Sequence, residues 1–306
     1  MNSGEIHHPR HFRTLSEMQH ALNLPKPAHP LISLLDYREA PITNEMLSFD
    51  FVMDFYHITY NDSSGCRMKY GQTTYDFNDA GMCFTSPGQS LAGIRSSGNP
   101  AGFTLLIHPD FFRGYPLEHK IKTYGFFSYS INEALYLSEK EKNIITNIAG
   151  IINDELKTSI DDLSQDVLIF QMELLLTYSQ RFYKRQFITR KIINNDLLSR
   201  METVLDSYFN SDRAVIEGIP TVKYLSDQLK VSPRYLGDML RALTGFNTQQ
   251  HIHLKLIEKA KEKLSLTDLT VSEIAYELGF EHPQSFSKMF RLRTGLSPLE
   301  FRGSYN

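Results

Sequence analysis

The chain has little cysteine and no long apolar run. Two cysteines in 306 residues are too few for a disulfide framework or a cysteine-rich zinc cluster. No apolar run approaches the ~18 residues that a membrane-spanning helix needs. Residues 1–27 contain no continuous apolar segment of the kind found in secretory signals. These absences argue against a disulfide-stapled secreted protein and against a membrane protein, and they predict a cytoplasmic chain.

Motifs for catalysis are also missing. The chain has no glycine-rich phosphate loop, and Ser63, Ser64 and Cys66 have no recognisable general base to activate them. His57 and His108 are isolated in sequence, whereas a metal-binding cupin barrel needs clustered His and Glu ligands on adjacent strands. We therefore expect no metal, no cofactor and no enzyme activity.

The overall charge gives no hint of nucleic acid. The net charge is −3, and the segment 195–306 has equal numbers of basic and acidic side chains. A nucleic-acid-binding site must therefore depend on where the charges lie and not on their total.

The first half of the chain has the pattern of β-structure. Residues 29–136 contain short runs of β-branched and aromatic residues separated by Gly, Asn, Asp and Pro. Such runs are typical of strands in a barrel or a sandwich. The residues before them, 1–28, are interpreted as an N-terminal tail, which would contain His7, His8 and His11.

Residues 137–187 change to a helical period. The second helix of this segment, 166–187, is apolar on two faces. One face can cover the β domain, whereas the other needs a partner. We predict that this other face forms a homodimer; the alternative is that both faces are buried within one subunit. The predicted dimer face contains Ile169, Met172, Leu176 and Tyr183.

The last third of the chain contains one pattern twice. The copies are "VKYLSDQLKVSPRYLGDMLRALTG" at 222–245 and "VSEIAYELGFEHPQSFSKMFRLRTG" at 271–295. Their apolar residues align at an offset of 49 in the first half of the pattern and 50 in the second. The one-residue slip falls in a turn, where an insertion is tolerated best. The matched pairs are Val222 and Val271, Leu225 and Ile274, Leu229 and Leu278, Val231 and Phe280, Leu236 and Phe286, and Leu240 and Phe290.

Each copy has start and stop signals for two helices. Ser232, which precedes a proline, is an N-cap in the first copy, and Thr270 with Glu273 forms a capping box in the second. Gly245 and Gly295 stand where a helix should end. The unit is a helix-turn-helix, or else an αα-hairpin whose apolar residues only build a core.

The outer faces of the two second helices favour nucleic-acid binding. Arg, Gln and Lys contact phosphates and base edges in the major groove, and helix N-termini offer backbone N–H groups to phosphates. The predicted DNA-contacting residues are Arg234, Gly237, Asp238 and Arg241 in the first copy, Gln284, Ser285, Ser287, Lys288 and Arg291 in the second, and Thr221 and Thr270 at the N-termini of the first helices.

The stretch "AYELGFEHPQSFSKMFRLRTGLSPLEFR", 275–302, resembles the signature of the AraC/XylS family of transcriptional regulators. The segment "IHPDFFRGYPLEHKIKTYGFFSY" is similar to part of the cupin-like regulatory domains of some members. The resemblance implies an α+β multidomain chain. It would have an N-terminal cupin-like β-barrel with flanking helices over 29–136, a helical dimerisation segment over 137–187 and an all-α double helix-turn-helix domain over 195–306.

The resemblance implies a sequence-specific transcriptional regulator that binds double-stranded DNA. Two recognition helices would enter successive segments of the major groove, and the N-terminal domain would sense a small-molecule effector. RNA polymerase is a further partner that the resemblance allows. The alternatives are a cupin-type enzyme with an accessory helical domain, and a regulator controlled by a protein partner.

Two residues depart from the polar or cationic side chains that many family members have in the first recognition helix. Asp238 would accept a hydrogen bond from a cytosine amino group or pair with a neighbouring cation. Gly237 would permit close approach to DNA or read nothing. The second recognition helix therefore carries the stronger prediction.

Overall fold

The computed structural model describes residues 9–39, 50–62, 66–70, 73–77, 81–91, 101–158 and 161–304. The chain divides into two compact units, Met1–Gln186 and Phe187–Asn306. The sequence predicts a boundary region at 188–195, close to this division. Each unit has its own architecture.

The N-terminal unit is built from antiparallel strands and covering helices. Its strands are β1 (Arg10–Phe12), β2 (Ile32–Asp36), β3 (Phe51–Met53), β4 (Tyr56–Asn61), β5 (Cys66–Tyr70), β6 (Thr73–Phe77), β7 (Gly81–Thr85), β8 (Ser90–Leu91), β9 (Gly102–Ile107) and β10 (Leu135–Tyr136). Its helices are α1 (Leu15–Ala21), α2 (Leu117–Lys120), α3 (Glu139–Lys157) and α4 (Ser164–Thr189), with 3-10 turns at Pro109–Phe112, Ile121–Thr123, Gly125–Ser128 and Ile131–Glu133.

The strands form three sheets within the described ranges. One has the order β10-β7-β4-β9-β2, one β1-β3-β8, and the third is the β5-β6 hairpin. All neighbours are antiparallel except β1 and β3, which are parallel. The β-rich N-terminal half is confirmed. The three sheets do not close into a barrel among the described residues, and the cupin-like barrel stays a prediction.

Residues 10–22 are not a tail, and this part of the predicted tail 1–28 is wrong. β1 pairs with β3, and Phe12, Leu15 and Met18 are buried in a core cluster. The apolar residues of α1 recur at helical spacing, so one face of this short helix is buried. The His11 side chain hydrogen-bonds to Asp54 at 2.7 Å, whereas His7 and His8 lie outside the described residues.

A row of polar side chains lies along one face of the five-stranded sheet; Thr59, Thr104 and Tyr37, which directly follows β2, are buried, and His57 is half-buried. His57 Nε2 lies 3.0 Å from Thr59 Oγ1, which lies 3.3 Å from Thr104 Oγ1. The Tyr37 hydroxyl is 2.6 Å from the same Thr104 oxygen. These four residues are called the polar sheet face below. Burial lowers the pKa of His57 to about 4, so its imidazole is neutral at physiological pH.

The α4 face predicted to form a homodimer is buried within the N-terminal unit. Leu176 and Tyr183 are 1% and 3% exposed. The Tyr183 hydroxyl donates to the Glu133 carbonyl at 3.1 Å, and its ring stacks on Phe126 at a centroid distance of 5.6 Å. The prediction that this face joins two subunits is wrong. It fails because the face is buried within one chain; at Tyr183 the covering rings are Phe126 and Tyr129, which lie far earlier in the sequence.

The C-terminal unit is all-helical in the described residues, as predicted. After the end of α4 its helices are α5 (Lys191–Phe209), α6 (Arg213–Glu217), α7 (Val222–Leu229), α8 (Pro233–Thr244), α9 (Thr248–Leu266), α10 (Val271–Glu277), α11 (Pro283–Thr294) and α12 (Pro298–Gly303). Within the described ranges, none of the helices in either unit combines the length and apolar character needed to cross a membrane.

Candidate nucleic-acid interface

The helix starts predicted for the doubled pattern are present. The Thr221 hydroxyl accepts a hydrogen bond from the Tyr224 backbone N–H, and the Ser232 hydroxyl does the same for Tyr235. Thr270 forms a capping box at the start of α10. Each hydroxyl satisfies a backbone donor that the helix itself leaves unpaired. The pairs α7-α8 and α10-α11 are therefore two helix-turn-helix units.

The C-terminal ends of α8 and α11 are also alike in the two copies. Gly245 and Gly295 adopt left-handed conformations with φ of 81° and 79°. The threonine before each glycine donates its hydroxyl hydrogen to the carbonyl four residues earlier, at 2.8 Å in both copies. The same hydroxyl oxygen accepts from the backbone N–H two residues later. The two threonines thus share these two hydrogen bonds, and Thr244 makes a further one with His251 Nε2 at 2.8 Å.

The turns of the two copies differ in the residue that adopts the left-handed conformation. Lys230, with φ of 60°, stands where the second copy has Gly279, with φ of 89°. A left-handed backbone is strained for lysine but not for glycine. Gly279 also lies against backbone atoms of the α6–α7 connection, including Gly218. Both turns therefore contain a residue in the left-handed region, and in the second copy this residue lies against another backbone segment.

The aligned apolar residues of the second helices form the core of each unit. Leu236 and Leu240 of α8 and Phe286 and Phe290 of α11 are fully buried. Their burial on one face leaves the opposite face of each helix towards solvent. This arrangement supports the assignment of the predicted contact residues to an outer face.

The predicted contact residues divide by exposure. Eight are exposed: Arg234, Arg241, Gln284, Ser285, Lys288, Arg291, Thr221 and Thr270. Three are half-buried: Gly237, Asp238 and Ser287.

Gly237 is turned towards α9. A Cβ atom at this position would lie 3.7 Å from the Thr248 hydroxyl oxygen, an ordinary van der Waals distance. Since Thr248 is buried, a side chain at position 237 would point towards the domain interior. This geometry favours the second of its two interpretations, that Gly237 reads nothing.

Asp238 forms ion pairs with both arginines of α8. Its Oδ2 accepts from Arg234 Nε at 3.1 Å, and its Oδ1 accepts from Arg241 Nη1 at 3.4 Å. Of the two roles that the sequence allows for this residue, the structure contains the pairing with neighbouring cations. α11 itself contains no carboxylate. Among the described residues Lys288 and Arg291 form no side-chain hydrogen bond or salt bridge. The pKa of the Glu300 carboxyl on α12 is nevertheless lowered by hydrogen bonds from Ser297 and also by the nearby charge of Arg291.

Three lysines of α9 form ion pairs with carboxylates of neighbouring helices. Lys255 and Lys259 lie 2.8 and 3.6 Å from Asp206 of α5, and Lys263 lies 2.7 Å from Glu277 of α10. These contacts leave the lysines less available as a basic surface for nucleic acid than their number in the sequence indicates.

Arg302 has a structural role that its sequence position does not indicate. Its guanidinium donates to the carbonyl oxygens of Leu264 and Leu269, at 3.2 and 2.6 Å. It thereby fixes the loop that leads into α10. No local sequence signal marks this contact, because the partner carbonyls lie more than thirty residues away.

The C-terminal region matches known proteins. A family model described as a helix-turn-helix domain matches residues 225–304. The transcriptional regulatory protein YesN of Bacillus subtilis (strain 168), described as uncharacterized, is 40% identical over 78 residues, which are 25% of this chain and 21% of that protein. SAS0078 of Staphylococcus aureus (strain MSSA476), described as an uncharacterized HTH-type transcriptional regulator, is 26% identical over 167 residues, 53% of this chain and 21% of that protein.

A solved structure matches about a third of the chain. It is the C-terminal domain of the two-component response regulator yesN from Fusobacterium nucleatum, which is 26% identical. The match covers 35% of this chain and 98% of that one, with a TM-score of 0.31. The chain spans about a fifth of the length of the curated relatives that it matches. By the family match and its two helix-turn-helix units, the C-terminal part of this chain is a helix-turn-helix domain of the AraC type.

Proposed function

We propose that the chain is a sequence-specific DNA-binding transcriptional regulator of the AraC type. The observation that carries the proposal is the doubled helix-turn-helix unit with polar and cationic outer faces on α8 and α11. Each second helix would lie in the major groove, and the two would enter successive groove segments on one side of the DNA.

The side chains on α11 suit two kinds of contact. Arg291 is exposed near the C-terminal end of α11, and it would bind a phosphate. Gln284 is exposed in the first turn, where recognition helices contact base edges. Lys288 lies one turn further along the same face. An amide suits adenine, and a lysine suits guanine.

Alanine variants of α11 should separate these contacts. Arg291→Ala should weaken binding to all DNA sequences alike and lower the salt slope by ~1, because one phosphate-bound cation is lost. Gln284→Ala and Lys288→Ala should each reduce discrimination at one base position, by about 1–3 kcal/mol. The measurement is binding of the full chain to DNA selected from a random library and to a scrambled duplex, across a salt series.

Arg293→Ala is the matched control, since Arg293 is exposed on α11 but lies towards His253, at 3.4 Å. It should leave base discrimination unchanged. The proposal fails if the parent chain does not distinguish the selected from the scrambled duplex. It also fails if the three α11 variants bind both duplexes as the parent does.

We also propose that the N-terminal unit is cupin-like and binds a small organic effector over the polar sheet face. One feature supports this site. The row of hydroxyls ends at His57, whose Nε2 lies 3.0 Å from Thr59 Oγ1. The buried Nδ1 of the same ring has no hydrogen-bond partner among the described residues, and a buried polar atom without a partner is costly.

A native mass spectrum tests the effector proposal. The natively purified chain should retain a small molecule, and His57→Leu should lose it because the buried hydrogen-bonding nitrogens disappear. Thr123→Val, a substitution of an exposed hydroxyl elsewhere in the unit, is the control and should retain the molecule. Stoichiometric zinc, iron or manganese would favour the cupin-type enzyme, and a co-purified protein would favour control by a protein partner.

Assembly and further partners are also proposals. A homodimer formed through α4 would use apolar side chains that stay exposed on this helix, such as Phe170, 65% exposed, and Leu174, 42% exposed. RNA polymerase is the partner that a regulator bound to DNA would contact.

A further inference from the structure

The two recognition helices differ in charge at one aligned position. At the offset of 50, Asp238 of α8 corresponds to Lys288 of α11, and Arg241 corresponds to Arg291. The remaining pair is Arg234 in the first copy and Gln284 in the second. The first face thus has two cations and one anion, and the second has two cations.

The carboxylate of α8 lies beneath the guanidinium groups. The Asp238 side chain is 21% exposed, whereas those of Arg234 and Arg241 are 53% and 56% exposed. Each carboxylate oxygen takes one arginine. Each arginine uses one of its nitrogens for this bond, and a guanidinium has further N–H donors that it can still offer to a guanine or a phosphate.

This arrangement lowers the cost of ordering the arginines. A flexible arginine loses rotamer freedom when it binds, whereas one that is already held in position loses less. The carboxylate also cancels one positive charge of the face and therefore reduces the attraction to phosphates that is common to every DNA sequence. A surface ion pair contributes little to stability, so fold stability is a weak reason for its presence.

We propose that Asp238 is a positioning residue for DNA recognition. It holds Arg234 and Arg241 so that α8 contributes sequence discrimination, while α11 contributes more of the attraction to phosphates. This inference rests on the proposed DNA-binding function and assigns different tasks to the two helix-turn-helix units.

The test is Asp238→Asn in the full chain, with the library-selected and scrambled duplexes as probes. Asparagine keeps the shape but loses the charge that holds the arginines. The ratio of selected to scrambled affinity should fall about tenfold, as for one impaired base contact. Binding to the scrambled duplex should strengthen, and its salt slope should steepen by ~1 because a released cation can reach a phosphate.

Asp212→Asn is the matched control. Asp212 is exposed beside α6, makes no side-chain cap hydrogen bond and lies in the same unit, so its loss changes the net charge equally. This variant should leave the affinity ratio and the salt slope at the parent values. If the two variants behave alike, the effect is one of total charge and the inference is overturned.

A second comparison separates positioning from direct base contact. In a chain that already carries Arg234→Ala and Arg241→Ala, Asp238→Asn should not change the affinity ratio further, because no arginine remains to be positioned. A further loss of discrimination in that background would mean that Asp238 itself reads a base, which overturns the inference. If the parent chain discriminates and only these outcomes fail, the DNA-binding proposal stands and the role of Asp238 falls.

Discussion

Gly102→Ala should unfold most of the N-terminal unit. Gly102 starts β9 opposite Asn61 of β4, and its φ is +133°. A Cβ atom there would lie 2.0 Å from the Tyr60 carbonyl oxygen and 2.9 Å from its carbon. These are backbone atoms of the central strand, so they cannot move aside without breaking the pairing of β4 with β9. We expect a loss of about 4 kcal/mol or more in the free energy of unfolding of this unit.

Hydrogen exchange of the full chain measures this loss by region. Amides of β4 and β9 should lose protection in Gly102→Ala, whereas those of α9 in the other unit should keep it. Gly88→Ala is the control, because Gly88 also has a positive φ, +79°, but has no atom within 4 Å of the added Cβ. It should cost only the ~1–2 kcal/mol of a left-handed alanine. Equal exchange in the two variants would contradict the close approach at Gly102.

Gly279→Ala should destabilise the C-terminal unit and abolish tight DNA binding. The added Cβ would lie 2.6 Å from the Gly218 carbonyl carbon and 2.8 Å from both the Ala214 oxygen and the Ile219 nitrogen. All three are backbone atoms of α6 and the connection into α7. The substitution would push the turn between α10 and α11 away from the segment that leads into α7. We expect a loss of about 3 kcal/mol or more in the free energy of unfolding.

The control for this variant is Gly295→Ala. Gly295 has nearly the same conformation, with φ of +79°, but open space where the Cβ would stand. Thermal unfolding and DNA binding of both variants separate the strain of positive φ, ~1–2 kcal/mol, from the steric clash. If Gly279→Ala unfolds and binds DNA as Gly295→Ala does, the contact between Gly218 and Gly279 does not hold the two helix-turn-helix units in place.

The sequence alone was enough to locate the four helices of the doubled pattern, α7, α8, α10 and α11. The doubled apolar pattern, the caps at Thr221, Ser232 and Thr270 and the glycines at the helix ends are all local signals. Each depends on residues within a few positions of one another, and helix geometry fixes what such residues can do. For the same reason the outer faces of α8 and α11 could be assigned before any contact was known.

Contacts between distant segments could be found only in the tertiary structure. Nothing near Tyr183 in the sequence indicates that Phe126 covers it, so the sequence predicts a dimer interface on this face of α4. The sequence also predicts a tail where α1 lies, because the burial of this short helix depends on strands that come much later in the chain.

The same distinction between local signals and contacts of distant segments applies at the candidate interface. The sequence places Arg234, Asp238 and Arg241 on one helix face, since their spacing of four and three residues brings them together. Side-chain conformations then decide that Asp238 bonds both arginines. The sequence shows a glycine in the second turn, but only the packed backbone of α6 and the α6–α7 connection decides that no larger residue fits at Gly279. Local periodicity therefore determined the helices and their faces, whereas the packing of segments far apart in sequence decided which faces are buried and which positions admit no side chain.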